Sequence, residues 1–422
     1  MIRIILVFMI CFGFSTFSMN LKDTVDFALK NSPEFRKIEI NHRKSVLNYI
    51  KEKKAFIPTF SFYANDSDIR SLDIRQKISE GGSLSFDYTK DISADSTTKS
   101  LSYSQSLWKW KDNSGIISEL NYKISEASFI QQKKNFILRV VRSMLSFIKS
   151  RERLNIEENS SVRWKRSYDY AVARYEAGSA NKFDVINAKL NLMNSTNSIL
   201  SQKDSVENER LGLNKLIGLD FNENITFEVD IKFIKSPIII KKKREDILMS
   251  ELSLKVSEIQ NENSEINKKP DIKYSGNKNE DKNGNTSSSS AVSMSFELGK
   301  STDSINLDIS ELNLELASIA HLDLVKNVEL EIRNFENRLK TNSQSINIKE
   351  ENLKNSEENL KFSEISFQKG LISFIDMQDA QEKFNSEKQQ YFNALIDNIM
   401  LVLDYVKACG EDVEKYIYEN IN

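Results

Sequence analysis

The chain has 422 residues, of which 39% are hydrophobic and 28% are charged. Its 59 basic and 61 acidic residues are well mixed, which excludes the basic surface that nucleic-acid binding requires. The length would allow about two or three globular domains, but this low hydrophobic content suits long, thin helices with much exposed surface.

The first 18 residues have the pattern of a signal peptide. An apolar run from Ile4 to Phe17 follows Arg3 and ends among small side chains, as a signal peptidase requires. The run is shorter than the roughly 18 residues that a membrane-spanning helix needs. We therefore expect residues 1–18 to be removed and the mature chain to be exported. Cys11 would be lost with them, which leaves Cys409 alone and allows no intramolecular disulfide.

Prolines mark the first changes of structure. Ser32 and Pro33 predict the cap and first position of a helix that runs towards residue 55. After Pro58, and again after Pro270, the apolar pattern changes from a helical period to strict alternation. Strands are therefore expected to follow each of these two prolines.

Alternating apolar and small polar residues predict short strands. The segments are Thr59 to Phe62, Ser100 to Leu107, Asp271 to Tyr274 and Ala291 to Leu298. The alternation fits strands with one face in lipid and the other in a watery lumen. It fits a soluble antiparallel sheet with one buried face equally well.

The first half carries one additional hairpin. Apolar residues alternate from Leu72 to Ile78 and from Leu84 to Tyr88, with Glu80, Gly81 and Gly82 as the turn. The corresponding part of the second half, residues 278–290, is rich in Asn and Ser, and we predict an exposed loop there.

Two very long helices are predicted from about residue 113 to 177 and from about residue 304 to 369. Apolar residues recur three and four apart, and neither segment contains proline. At about 1.5 Å per residue, each helix would be on the order of 100 Å long. Gly178 and Gly370 end these helices, and shorter helices then run to Gly218 and Gly410. The pattern predicts two antiparallel helical hairpins.

The second hairpin repeats the first at an offset of 192 residues. Gly178, Asp184, Ala188, Leu211, Lys215 and Gly218 recur as Gly370, Asp376, Ala380, Leu403, Lys407 and Gly410. We expect a first repeat at residues 19–218 (strands 59–107, hairpin 113–217) and a linker at 219–245. A second repeat at 246–410 (strands 271–298, hairpin 304–409) and a tail at 411–422 follow. Each repeat would bury its apolar stripe against a neighbouring copy.

An enzyme is not expected. The sequence has no glycine-rich phosphate loop and no grouping of Ser, His and Asp or of Cys and His, and His42 lies far from His321. We therefore predict no catalytic, cofactor-binding or metal-binding residues.

Several of these motifs together resemble those of TolC-type outer-membrane efflux proteins. They are the opening helix that ends in Asn31, Ser32, Pro33 and Glu34, Pro58 before the first strand, the strand exit Gln105 to Trp108, and the two hairpin motifs. The resemblance covers nearly the whole mature chain.

The resemblance implies a mainly α fold with a small β part. Duplicated helical hairpins would form a periplasmic α-barrel, and each chain would give four strands to a twelve-stranded β-barrel in the lipid of the outer membrane. A homotrimer is implied, because four strands cannot close a barrel. The additional hairpin between Leu72 and Tyr88 departs from this strand count.

The function that the resemblance implies is a passive exit duct. Such a duct serves tripartite efflux or type I secretion and carries drugs, small molecules or polypeptides. Its partners would be a periplasmic adaptor and an inner-membrane pump of RND or ABC type, and it needs no cofactor. The alternative is a periplasmic coiled-coil scaffold or adaptor without a membrane barrel, but two hairpins accompanied by alternating strands favour the duct.

The resemblance also implies roles for three groups of residues. The adaptor would dock at the hairpin tips, Ala177, Gly178, Ser179, Lys369, Gly370 and Leu371. Asp376 and Asp379, with Asp184 in the first repeat, would form rings of carboxylates at the pore mouth, which favour cations. Acidic residues at these positions are also explained by the helix dipole alone.

Aromatic and apolar residues complete the candidate set. Trp108 and Trp110 stand at a junction of strand and helix, where they would be membrane-interface anchors or ordinary core residues. Phe367 and Ile372 occupy the positions at which the best-known family member has a tyrosine and an arginine that close the mouth. We therefore predict a mouth that is held by apolar contacts or is looser.

Overall fold

The computed structural model describes residues 17–65, 69–109, 111, 113–179, 181–227, 231–295 and 302–421. In chain order the elements are β1 (Phe17–Met19), α1 (Leu21–Asn31), α2 (Pro33–Lys53), β2 (Thr59–Ala64), β3 (Ile69–Ser79), β4 (Gly82–Asp91), β5 (Ser96–Ser106), α3 (Asn113–Glu176), α4 (Lys182–Ile217), β6 (Ile225–Phe227), α5 (Glu245–Lys268), β7 (Asp271–Glu280), β8 (Thr286–Ser295), α6 (Thr302–Gln368), α7 (Phe374–Ala408) and α8 (Val413–Asn420). Most of the expected signal peptide, residues 1–16, lies outside the described residues.

The two predicted helical hairpins are confirmed. Helices α3 and α6 contain 64 and 67 residues, and they are followed by α4 and α7 with 36 and 35 residues. Helices α4 and α7 begin at Lys182 and Phe374, which are one repeat offset apart. No helix in the described segments is both long enough and apolar enough to cross a membrane.

The chain divides into two units, and each takes parts of both halves of the sequence. One unit consists of residues 39–131 and 245–327 and contains a six-stranded sheet in the order β2-β3-β4-β5-β7-β8. Every neighbouring pair of strands is antiparallel. The predicted hairpin between Leu72 and Tyr88 is confirmed as β3 and β4.

The loop prediction for residues 278–290 is wrong. Residues 271–280 and 286–295 pair from Asp271 opposite Ser295 to Glu280 opposite Thr286, so only 281–285 form a turn. Polar residues have little strand propensity of their own, but β7 also pairs with β5, and this ladder satisfies the backbone. Residues 296–298, at the end of the predicted strand, lie outside the described residues.

The other unit consists of residues 17–38, 132–244 and 328–421 within the described ranges. It contains both hairpin tips, α1, α8 and a short parallel pair between β1 and β6. Helix α1 contacts α4 and α8, and α7 contacts α8. Apolar side chains from these helices and from α3 are buried, including Leu21, Val25, Phe136, Val141, Met144, Leu213, Ile217, Val402, Leu403 and Ile417.

Glycine is required most strongly where α4 and α7 end. Gly218 has a φ of +84°, and a Cβ there would overlap the Asn31 carbonyl oxygen. Gly410 has a φ of +80°, and its Cβ would lie 2.8 Å from the Lys242 carbonyl oxygen. Gly178 has a φ of +71° but nothing within 4 Å of the Cβ position.

We therefore expect Gly218→Ala to destabilise the chain more than Gly178→Ala. Left-handed strain costs roughly 1–2 kcal/mol in either variant, and forced overpacking adds roughly 1–3 kcal/mol at residue 218 only. Thermal unfolding of the two variants measures the difference. Equal melting temperatures would contradict the close contact at Gly218.

Candidate functional site

The two hairpin tips have the same backbone structure. Gly178 and Gly370 have φ values of +71° and +72°. The donor and acceptor pairs are Gly178 N–H to Tyr175 C=O (2.9 Å), Ser179 N–H to Arg174 C=O (2.8 Å), Gly370 N–H to Phe367 C=O (3.0 Å) and Leu371 N–H to Ser366 C=O (2.9 Å). A left-handed glycine with this pair of bonds is a standard way to end a helix. The duplication inferred from the sequence therefore extends to the hydrogen bonds.

The helices that leave the tips begin with equivalent capping boxes. The side chain of Asn181 caps α4, and the Asp184 carboxylate accepts a hydrogen bond from the Asn181 backbone N–H at 3.3 Å. In α7, Asp376 accepts from the Ser373 backbone N–H at 3.0 Å and from the Ser373 hydroxyl at 2.6 Å. Two of the three candidate mouth carboxylates thus have a structural role in starting a helix.

The capping box of α7 lowers the pKa of Asp376. The hydroxyl and backbone N–H of Ser373 hold the pKa of Asp376 below its usual range, so its carboxylate is ionised at neutral pH. Asp376 and Asp379 are exposed, whereas Met377 and Ala380 between and beside them are buried. Asp184, in the first tip, is partly buried. The two exposed carboxylates therefore lie away from the buried face of α7.

An apolar cluster lies behind the two tips. Its buried members are Trp164, Ala171, Ala188, Phe367, Phe374 and Met377, and Ile372 packs against them. The rings of Phe367 and Phe374 meet edge to face with centroids 5.9 Å apart, and the Arg174 guanidinium lies 5.6 Å from the centre of the Phe367 ring. Phe367 and Ile372 therefore make apolar contacts within one chain.

A polar layer that the sequence did not indicate connects α3 to α7. The Arg163 guanidinium donates to the Asn385 side-chain oxygen at 2.7 Å, and burial lowers its pKa. The Ser160 hydroxyl accepts hydrogen bonds from Gln381 at 3.2 Å and from Asn385 at 3.0 Å. These residues are ordinary polar helix positions in the sequence, and only the pairing of distant helices brings them together.

Three large apolar side chains at the tips face solvent. Leu371 is 73% exposed, Phe183 is 61% exposed and Ile375 is 59% exposed. Phe183 and Ile375 are equivalent residues of the two repeats, each in the first turn of its helix. The tip residues Ala177, Gly178, Ser179, Lys369 and Gly370 are exposed as well. We refer to Phe183, Leu371 and Ile375 as the tip patch.

Two exposed apolar seams follow helices elsewhere in the chain. The seam of α4 consists of Ile186, Leu190, Met193 and Leu200. The seam of α6 consists of Ile305, Ile309, Leu312, Leu316 and Ile319. Spacings of three and four residues are typical of helices that pack against another helix.

Trp108 lies in the unit that contains the sheet. Its indole N–H donates to the Pro270 carbonyl at 2.7 Å, the Lys269 ammonium is 5.7 Å from its ring centre, and the side chain is exposed. An indole whose N–H is already bonded and whose ring is exposed is compatible with an interfacial anchor. Trp110 lies outside the described residues.

The sheet has one apolar and one polar face. One face is apolar and carries Phe60 and Phe62, Leu72 and Ile74, Leu84, Phe86 and Tyr88, Leu101 and Tyr103, Ile272 and Tyr274, and Val292 and Met294. Serines dominate the opposite face, with Ser83, Ser85, Ser100, Ser102, Ser104, Ser275 and Ser293 among them. We call the first set the apolar band.

Long duplicated helical hairpins joined to a one-sided antiparallel sheet define the class of barrel-forming channel subunits. Solved channels share this fold. VceC of Vibrio cholerae matches with a TM-score of 0.73 and 15% identity over 93% of this chain and 96% of its own. CmeC of Campylobacter jejuni matches with a TM-score of 0.74 and 17% identity over 95% and 89%. MtrE of Neisseria gonorrhoeae, in an open state, matches with a TM-score of 0.69 and 18% identity over 93% and 89%.

The family model described as outer membrane efflux protein matches residues 24–219. This match, together with the shared fold, confirms the resemblance inferred from the motifs of the chain. The matched family and the fold are those of outer-membrane efflux channels rather than of enzymes. No curated protein matches it by sequence. Among the described residues, no group of His, Cys, Asp or Glu could hold a metal ion.

Proposed function

We propose that the chain is one subunit of a homotrimeric outer-membrane duct in a tripartite efflux system. The observation that carries the proposal is the one-sided sheet, whose outer strands β2 and β8 each have one neighbouring strand among the residues that the structure describes. In lipid, an open edge leaves backbone groups without hydrogen bonds, and only a closed barrel removes both edges. Copies of the chain would close the barrel by pairing edge to edge.

The exposed seams support association of copies. Contiguous apolar stripes on α4 and α6 are costly in water, and a second helix would cover them. An α-barrel requires such contacts on both sides of every subunit. We take residues 19–218 and 246–410 as two repeats that contribute equally to its wall.

The hairpin tips are proposed as the docking site of a periplasmic adaptor. The tip patch presents apolar side chains at positions that no helix packing explains, next to Gly178 and Gly370, whose turns leave the backbone accessible. Large apolar residues at such a surface are typical of protein contacts. An inner-membrane pump of RND or ABC type would supply the energy and the substrates, which would be drugs, other small molecules or polypeptides.

Asp376 and Asp379 are proposed to line the mouth of the duct. Threefold symmetry would place three copies of each carboxylate around the axis, and Asp184 of the first repeat would add a further ring nearby. Rings of carboxylates attract cations and keep a constriction hydrated. The mouth would be held by apolar contacts such as those of Phe367 and Ile372.

Conductance in planar bilayers, together with the mass of the protein in detergent, tests this function. We expect discrete, cation-preferring channels formed by a trimer of the mature chain. A soluble monomer or dimer without channels would overturn the duct and favour a periplasmic coiled-coil scaffold or adaptor.

The two mouth carboxylates are expected to respond differently to substitution. Asp376→Ala and Asp379→Ala should each weaken block by multivalent cations, because each removes three negative charges from the mouth of a trimer. Only Asp376→Ala should also lower the melting temperature, because it removes the Asp376 half of the capping box of α7. Block is measured in bilayers and stability by thermal unfolding. Unchanged block in both variants would contradict a place at the mouth.

A further inference from the structure

We propose that all six strands of the sheet belong to the barrel wall, so that three copies form a barrel of about eighteen strands with β8 of each copy paired to β2 of the next. This inference rests on the proposed trimeric duct. It differs from the twelve strands that the family resemblance implies, because it assigns the hairpin formed by β2 and β3 to the membrane.

The apolar band continues from β4 onto β3 and β2. Phe60 and Phe62 on β2 are opposite Ile74 and Leu72 on β3, which are in turn opposite Phe86 and Tyr88 on β4. The polar face continues in the same way, with Ser61 opposite Asp73 and Asp73 opposite Asp87. A hairpin that stayed in water would not need an apolar face in register with the membrane strands.

The two open edges of the sheet match in direction and height. Strands alternate in direction across the sheet, so β2 and β8 run in opposite senses and two copies can join them as an antiparallel pair. Phe60 and Phe62 are the second and fourth residues from the helix-side end of β2. Met294 and Val292 are the second and fourth residues from the helix-side end of β8. Edge pairing at this height would continue the apolar band from one copy to the next.

The exposure of the two edges agrees with this arrangement. Phe62 is 83% exposed on β2, and Val292 is 70% exposed on β8. By contrast, Leu84, Phe86 and Tyr88 on the inner strand β4 are only partly exposed. Strand residues that lack a neighbour on one side gain it when the sheet closes.

In the alternative arrangement, the β2–β3 hairpin separates from the sheet and β4 becomes the edge strand of the barrel wall. The turn between β3 and β4 is anchored: the Gly81 N–H donates to the Lys109 carbonyl at 2.9 Å, and the Ser106 N–H donates to the Gly81 carbonyl at 2.9 Å. The buried Ser79 hydroxyl also donates to the buried side-chain oxygen of Gln105 at 2.6 Å. Release of β3 would break its ladder with β4 from Ile69 opposite Asp91 to Ser79 opposite Gly82.

A disulfide that locks β3 to β4 distinguishes the two arrangements. Arg75 and Ser85 are opposite each other in this pair, and opposite Cα atoms lie about 4.5–5.5 Å apart, within the span of a disulfide. The control lock joins Ser85 to its partner Ser102 on β5, a contact that either barrel keeps. Cys409 is buried and should not interfere.

We expect Arg75→Cys/Ser85→Cys to form trimers with the same conductance when oxidised and when reduced, as Ser85→Cys/Ser102→Cys does. Loss of trimers or channels on oxidation of the first variant alone would overturn the inference. If the unmodified chain forms no channel at all, the proposed function fails instead.

Interchain crosslinking gives a second and independent measurement. Ser61→Cys/Ser293→Cys places one thiol on each open edge at equal height, because each is the third residue from the helix-side end of its strand. We expect covalent trimers from this variant and none from Ser85→Cys/Ser293→Cys. The opposite result would show that β8 pairs with β4 and that the β2–β3 hairpin is displaced.

Discussion

Leu190→Glu/Met193→Glu is expected to give a folded chain that does not assemble. Both side chains are exposed on the α4 seam of a single subunit, so the monomer should lose only about 0.5 kcal/mol. A trimer would bury the two glutamates against a neighbouring helix, where each unpaired charge costs several kcal/mol. Mass in detergent should fall from trimer to monomer, and channel activity in bilayers should disappear.

The matched control for this variant is Ser198→Glu. Ser198 is also exposed on α4 but lies outside the seam of Ile186, Leu190, Met193 and Leu200. The Ser198→Glu variant should leave the trimer and its conductance unchanged. A trimer that survives both seam glutamates would mean that this seam is not a contact between subunits.

Local signals in the sequence were sufficient for the helical hairpins. Helix ends are set by glycine and capping residues within a few positions, so Gly178 and Gly370 identified the tips, and the Asn181 and Ser373 caps followed the same repeat. The candidate mouth carboxylates came instead from the family resemblance, and two of them, Asp184 and Asp376, are members of these caps.

Contacts between distant segments were not predictable in this way. Trp164 and Phe374 are separated by more than 200 residues, yet they belong to one apolar cluster. The outer halves of β7 and β8 contain Asn, Lys and Ser, which have little strand propensity of their own. They form strands because β5 provides a ladder for β7, and β7 in turn provides one for β8. The pairing of β5 with β7, which joins the two repeats in one sheet, likewise depends on the whole chain.

The tip patch gives the second large expected effect. Phe183→Asp/Ile375→Asp should abolish export in cells that contain the pump and adaptor, while trimers and single-channel conductance persist. The two side chains are equivalent in the repeats and exposed, so their replacement costs the subunit little. An adaptor that buries them would have to bury two unpaired carboxylates per subunit, and six in a trimer, which removes its affinity.

Two comparisons separate docking from folding in this experiment. Lys182→Asp introduces the same charge beside Phe183, at an exposed position outside the patch, and should retain export.

Bulky residues at Gly178 or Gly370 should also block export, because nothing within 4 Å of Gly178 prevents a side chain from projecting into the space that an adaptor would occupy. If the patch variant loses its trimers as well as export, the tips act in folding; if it exports normally, the adaptor binds elsewhere. Binding of the purified adaptor to the trimer measures the same difference without cells. The left-handed glycines and the capping boxes fix where α4 and α7 begin, and they therefore fix where Phe183 and Ile375 point.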